Sequence, residues 1–212
     1  MISKTVNAAF GRFFYFRKSD MNFSNLQKTL GVAVDGKIGR GTLTALFKKL
    51  GANQSRAEEL ALAANVHLKE YAILYNELRF AHFIAQLTHE SGNFRYMEEI
   101  ASGAAYEGRN DLGNIMAGDG VRFKGRGPIQ LTGRANYQKY GRALGFDFEA
   151  HPELVAIPSI GLLVASKFWV NNGLNELADR DDILTITRRI NGGTNGLDDR
   201  KANLAKIKSW MS

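Results

Sequence analysis

The sequence predicts a mainly α-helical protein folded around one long glycine-rich loop region. Three observations carry that expectation. Apolar residues recur at helical spacing through most segments between Leu26 and Met211. The spacing lapses between Gly103 and Gly133, a stretch that holds eight glycines. Pro128, Pro152 and Pro158, the chain's three prolines, all stand in connections rather than inside periodic runs. With 212 residues the chain can bury roughly 70% of its unfolded surface without staples. Its 44% hydrophobic and 23% charged residues lie near the globular norm and argue against disorder.

The elements follow in order. Residues 1–20 contain Arg12-Phe13-Phe14-Tyr15-Phe16-Arg17-Lys18, an aromatic cluster bracketed by cations. It reads either as an arm touching a membrane or envelope or as a tail ahead of Met21. Residues 26–52 read as two short helices around a turn at Val34-Asp35-Gly36, with Leu26, Leu30, Leu43, Leu46, Phe47 and Leu50 at helical spacing. Ser55 and Glu58 stand in S-x-x-E order, the pattern of a capping box. Leu60, Ala64, Leu68 and Tyr71 then mark an amphipathic helix, and Asn76 is placed to cap the next one, 77–90. The stretch 103–133 is loop with room for a short β-hairpin, and a loop this long within a compact domain is usually functional. Helical patterns resume at 134–144, 159–170, 182–190 and 198–211, with Asp181 or Asp182 as the cap of the third.

Composition excludes whole classes of chemistry. There are no cysteines, so disulfide scaffolds, thiolate zinc sites, iron–sulfur clusters and cysteine nucleophiles are ruled out. The formal net charge is +7, yet residues 1–57 hold ten Lys or Arg against Asp20 and Asp35, while the rest hold eighteen against nineteen acids. A basic first quarter on a near-neutral body suggests an anionic partner reached through residues 1–57, such as nucleic acid, an anionic membrane or a wall polymer. No nucleic-acid-binding motif accompanies the charge, so a nucleic-acid partner is not expected. No run approaches the ~18 apolar residues of a membrane span. Asn7, Gly11 and Arg12 interrupt any signal-peptide core, which leads us to expect cytoplasmic storage without a signal peptide.

The helix 80–90 carries the sharpest chemical signal. Phe80, Phe83, Ile84 and Leu87 form an apolar stripe that Glu90 continues. A carboxyl there loses water and also meets the negative end of the helix dipole. Both disfavour its charged form, as a general acid requires. The alternative is a Glu that leaves the stripe as the helix ends at Gly92. Cleavage of a glycosidic bond needs a second, ionised carboxylate, and Glu98, Glu99 and Glu107 lie just downstream. Other chemistries lack their residues. There is no H-E-x-x-H, phosphate loop, G-x-S-x-G elbow or calcium loop, so neither a metal nor a cofactor is expected.

Three motifs, in this order, resemble glycoside hydrolase family 19, the chitinase group that includes phage and prophage endolysins. They are His89-Glu90-Ser91-Gly92, Phe123-Lys124-Gly125-Arg126-Gly127-Pro128-Ile129-Gln130-Leu131-Thr132-Gly133 and Ile190-Asn191-Gly192-Gly193. The resemblance covers roughly residues 57–210. It implies a lysozyme-like, chitinase-like helical domain over 55–212 with a cleft beside the glycine-rich loop, and a monomer. It also implies that Glu90 is the catalytic acid and that Glu99 is the second carboxylate, with Glu107 kept open because plant-type members space the pair further apart. Thr132 matches the residue that helps hold the attacking water. His89, Gln130, Asn136, Asn191 and Arg200 match positions that line the substrate cleft. At Asn93, where relatives often carry a second glycine, a change of loop shape rather than chemistry is expected.

The implied mechanism is single-step inversion, with the two carboxyl groups roughly 6.5–9.5 Å apart to admit a water. Residues 21–54 contain a second resemblance. From Leu26-Gln27 through Val34-Asp35-Gly36-Lys37-Ile38-Gly39 to Thr42 the sequence is similar to half of a small peptidoglycan-binding repeat, or is an embellishment packed on the catalytic domain. Together these point to an endolysin that cuts the β-1,4 glycan of peptidoglycan after holin-dependent release from the host cytoplasm. Chitin is the alternative substrate within the same chemistry. A non-catalytic wall-binding protein is the alternative outside it.

Overall fold

The computed structural model describes residues 21–212. The aromatic, basic run 12–18 lies outside the described residues. α1 (Ser24–Leu30) and α2 (Arg40–Leu50) flank the expected turn, which is knotted on the buried amide of Gln27. Its Oε1 accepts from the backbone N–H groups of Asp35 at 3.0 Å and Gly36 at 2.8 Å, and its Nε2 donates to Asp35 Oδ1 at 2.7 Å.

α3 (Gln54–Glu70) begins earlier than the Ser55–Glu58 capping box predicts. Asn53 is the cap, its side-chain oxygen accepting from the Arg56 N–H at 2.9 Å, so Ser55 already lies inside the first turn. The extended backbone that a cap needs falls at Asn53, and Glu58 is taken by the Gln54 side chain instead. α4 (Glu77–Glu90) is capped by Asn76, which accepts from the Arg79 N–H at 2.8 Å, as its sequence implies.

The glycine-rich stretch holds single 3₁₀ turns at Ala104–Tyr106 and Asn110–Leu112 and the one-turn α5 (Asp119–Arg122). Isolated antiparallel bridges pair Arg126 with Glu98 and with Leu131 where a short hairpin was expected. α6 (Arg134–Leu144), a 3₁₀ turn at Pro152–Ala156 and α7 (Pro158–Asn171) follow. The short α8 (Leu174–Ala178) has no counterpart in the sequence reading, since five residues carry too little periodicity. α9 (Ile183–Asn191) is capped by Asp182 rather than Asp181, and α10 (Leu197–Met211) closes the fold.

Two apolar cores result among the described residues. The larger draws Leu43, Phe47, Leu60, Phe80, Phe83, Trp169, Ile186 and Leu204 from α2, α3, α4, α7, α9 and α10. The smaller gathers Phe123, Leu131, Tyr137, Tyr140, Phe148, Val155 and Val164 beneath the glycine-rich loops. The bridged ribbon joins them, because Met97 and Ile129 belong to the first core while Phe123 and Leu131 belong to the second. Residues 21–54 share the larger core. The Phe23 and Phe80 rings meet edge-on with centroids 5.6 Å apart, and Phe47 meets Phe94 at 5.0 Å.

Candidate active site

α4 runs through the core with every residue from Phe80 to Thr88 buried, and it delivers His89 and Glu90 at its C-terminal end. Ser91 stops the helix there. Its hydroxyl donates to the Leu87 carbonyl at 2.6 Å and accepts from the Phe94 N–H at 2.8 Å. The turn then passes through Gly92, Asn93 and Phe94, all left-handed, with φ of +56°, +63° and +58°. Asn93 therefore takes a conformation open to glycine, and Asn is among the few other residues that adopt it at small cost.

Glu90 is held from α10. Arg200 Nη2 donates to Glu90 Oε1 at 2.5 Å, with the Glu90 side chain 14% exposed and Arg200 almost wholly enclosed. The second terminal nitrogen, Nη1, donates to Gln86 Oε1 one turn back along α4. Burial and the helix end were both legible in sequence; Arg200 was expected only to line the cleft, and its direct contact with Glu90 was not foreseen. His89 leaves the helix on another side. Its Nδ1 pairs with Asp199 Oδ2 at 2.6 Å and its ring lies against Gly196, so it joins the end of α4 to the start of α10.

The second group of residues sits on the ribbon. Glu99 is paired through its own backbone N–H to the Gly125 carbonyl at 2.9 Å. Its Oε2 accepts from the Gly125 N–H at 3.1 Å and its Oε1 from the Tyr106 hydroxyl at 3.0 Å. Burial, followed by the carboxylate beside it, raises the Tyr106 pKa above the usual phenol range, so Tyr106 remains a donor. Gly125 is required for space. A Cβ there would stand 2.7 Å from Gln130 Oε1, 3.2 Å from Glu99 Oε2 and 3.4 Å from Thr132 Oγ1. Three oxygens thus surround one point that only glycine leaves open.

The rest of the motif builds that ribbon. Gly127, at φ +73°, brings backbone within contact of α7, where a Cβ would meet the Gly161 Cα at 3.2 Å. Arg126 is a tie: Nε donates to Glu98 Oε1 at 3.0 Å and Nη1 to the Arg122 carbonyl at 2.8 Å. Gln130 turns the chain at φ +53°, a costly conformation for a non-glycine residue, and its Nε2 donates to the Gly127 carbonyl at 3.0 Å. Thr132 Oγ1 donates to the Gln130 carbonyl at 2.9 Å. Asn136 Nδ2 donates to the Thr132 carbonyl at 2.8 Å, so it steadies Thr132 from α6.

Glu107 stands elsewhere. Its Oε1 accepts from the Gly118 N–H at 2.7 Å and its Oε2 from the Gly120 N–H at 2.8 Å, fastening the loop at α5. Asn191 is exposed and braces its own turn, accepting from the Gly193 N–H and donating to the Asn195 carbonyl, both at 2.8 Å. The structure therefore gathers Glu99, Gln130 and Thr132, supports them with Asn136, and joins Glu90 to Arg200. Tyr106 and Gln86 were missed in the sequence. Tyr106 meets Glu99 through a loop without periodicity, and Gln86 reads as one more position on a buried helix face.

Comparisons with known proteins place the chain in a family. The family model described as chitinase class I, of glycoside hydrolase family 19, matches residues 76–190. A Haemophilus influenzae protein described as glycosyl hydrolase family 19 domain-containing is 31% identical over 185 residues, 73% of this chain and 89% of its own length. An endochitinase of Arabidopsis thaliana is 38% identical over 114 residues, 53% of this chain but only 39% of its own length. Among solved structures, chitinase C from Streptomyces griseus shares the fold with a TM-score of 0.62 at 21% identity, over 83% of this chain and 95% of its own. A class IV chitinase from Zea mays gives a TM-score of 0.56 at 25% identity, over 92% of each chain. The family model spans more than half of the chain and the Haemophilus relative aligns with nearly three quarters of it: the chain belongs to glycoside hydrolase family 19.

Proposed function

We propose that this protein is an endolysin that hydrolyses β-1,4 glycosidic bonds of bacterial peptidoglycan with inversion. The observation that carries the chemistry is the pair of differently held carboxyl groups, Glu90 against Arg200 and Glu99 between Tyr106 and the Gly125 amide. Glu90 gives its proton to the glycosidic oxygen as the bond from that oxygen to the anomeric carbon breaks. Glu99 takes a proton from a water while the water oxygen attacks the anomeric carbon from the opposite face. The Thr132 hydroxyl, whose own proton is directed to the Gln130 carbonyl, offers its oxygen to the water's second proton. Glu107 is given no part in this reading, because its carboxylate fastens the Gly118 and Gly120 amides at α5, whereas Glu99 shares the space beside Gly125 with Gln130 and Thr132. Acid–base groups of this kind contribute about 10²–10⁴ in rate each.

Peptidoglycan as substrate is supported by the wall-binding resemblance of residues 26–42 and by the basic surplus in residues 1–57. The protein would be stored in the host cytoplasm and reach the wall once the membrane is opened. Chitin is the second reading, favoured by the plant relatives described as endochitinases. Purified protein incubated with bacterial sacculi and, separately, with chitin oligomers distinguishes them. New reducing ends are expected from sacculi, and release from chitin alone overturns the peptidoglycan reading. Glu90→Gln should lower turnover by about 100-fold or more, and full activity in that variant would refute the assignment of the acid.

A further inference from the structure

Gln86 is wholly buried on α4, one turn before Glu90, and among the described residues its side chain makes a single hydrogen bond. Its Oε1 accepts from Arg200 Nη1, while its Nε2 is buried without a partner among the described residues. The amide orientation follows from chemistry, since Arg200 can only donate and must therefore face the oxygen. A buried amide with an idle donor is costly, and packing alone would favour an apolar residue there. The bond it does make has a geometric consequence. Guanidinium is planar, so fixing Nη1 on Gln86 and Nη2 on Glu90 sets the direction from which the cation meets the carboxyl.

We propose that Gln86 is a positioning residue for the general acid, acting through Arg200, and that its neutrality is as important as its shape. A carboxylate at this place would keep the same acceptor but divide Arg200 between two anions. The amide anchors Arg200 while leaving its charge to Glu90. Several other charged groups on the elements that meet here are held by partners of their own. From α10 come Arg200, Asp199 (held by His89) and Lys208 (held by Asp181). From α4 come His82, His89 and Glu90, with His82 paired to Asp181 in the turn before α9. Arg79, also on α4, is taken by Asp179. Among the described residues, Arg200 is the cation paired with Glu90.

This inference rests on Glu90 being the acid, and the experiment separates the two. The full chain is assayed on one soluble glycan substrate as the parent, Glu90→Gln, Gln86→Met and Gln86→Glu, each with a thermal melt and a pH profile. Gln86→Met keeps the length and loses the acceptor. It is expected to lower kcat at least tenfold with KM within twofold of the parent. Gln86→Glu keeps the acceptor but divides Arg200 between two carboxylates, and is expected to lower kcat less than Gln86→Met does. Its alkaline limb of kcat/KM should move upward by half a pH unit or more, because Arg200 then meets two anions. If Gln86→Met does not fold, the shifted limb in Gln86→Glu decides the matter alone. Parent-like kcat in a folded Gln86→Met, or an unmoved alkaline limb in Gln86→Glu, overturns the positioning role. An active Glu90→Gln overturns the assignment of the acid instead.

Discussion

At the scale of single residues, the candidate site depends on what is left out as much as on what is present. Gly125 leaves room for Glu99, Gln130 and Thr132 to converge, and the nearest atom to an added Cβ is the end of a flexible side chain, Gln130 Oε1 at 2.7 Å. Gly125→Ala should therefore fold, with the melting temperature within about 4 °C of the parent, equivalent to under 1 kcal/mol for a chain this size. Turnover should still fall roughly 10- to 100-fold, because displacements near 1 Å are expensive in a positioned site. A fully active Gly125→Ala would show that the three oxygens need not converge. Tyr106 makes the complementary case. Its hydroxyl donates to Glu99 Oε1 at 3.0 Å and remains protonated because burial raises its pKa. Tyr106→Phe removes that donor and little else, so kcat should drop about tenfold while KM holds, in line with one lost charge-assisted hydrogen bond. An unchanged kcat would confine Tyr106 to packing.

At the scale of elements, α4 links stability to the site through pH. Besides Gln86 and Glu90 it carries His82, fully buried, with Nε2 2.7 Å from Asp181 Oδ1. Burial lowers the His82 pKa below its ordinary value, and Asp181 opposes that shift only in part while Lys208 adds to it. The unfolded chain therefore takes up a proton, as pH drops below about 6.5, that the folded chain resists. Stability contributed by neutral His82 is complete above that pH and is lost on acidification, by at most about 1.4 kcal/mol per pH unit. Melting temperature should decline between pH 7.5 and 5.5, and less steeply in His82→Leu; parallel slopes would remove His82 as the cause. The depressed carboxyl groups Asp119, Asp179 and Asp181 act below this window, since their ordinary value is 3.8. α4 was legible because its Asn76 cap and its apolar stripe agree over more than three turns. The start of α3 was misread because Asn53 caps the helix before Ser55 can, and α8 is too short to show a period. Within the site, Glu90 could be found on its stripe. The different holds on Glu99 and Glu107 were hidden, because they depend on which loop amides fold back onto each carboxylate, a long-range outcome that spacing does not encode.

At the scale of the whole molecule, the question is whether residues 21–54 are a separable module or part of the body that carries the site. Their apolar residues give one answer. Phe23, Leu26, Leu43, Leu46, Phe47 and Leu50 are buried in the same core as Leu60, Phe80, Phe83 and Leu204. Phe23 touches Phe80 of α4, and Phe47 touches Phe94 in the turn that follows Glu90. Each large apolar side chain stabilises by roughly 1.5–3 kcal/mol when buried, so six of them together rival the total stability of an ordinary domain. Removing residues 21–54 would also bare the faces of α3, α4 and α10 that they cover. The expected result is a single cooperative transition for the full chain by calorimetry, and a 55–212 fragment that is insoluble or lacks near-ultraviolet structure. Leu46→Ala, a milder cut in the same place, should lower stability by about 2–5 kcal/mol and shift that single transition without splitting it. Two resolved transitions, or a soluble 55–212 fragment with parental activity, would show instead that the shared core is only a docking contact and that residues 21–54 are a module of their own.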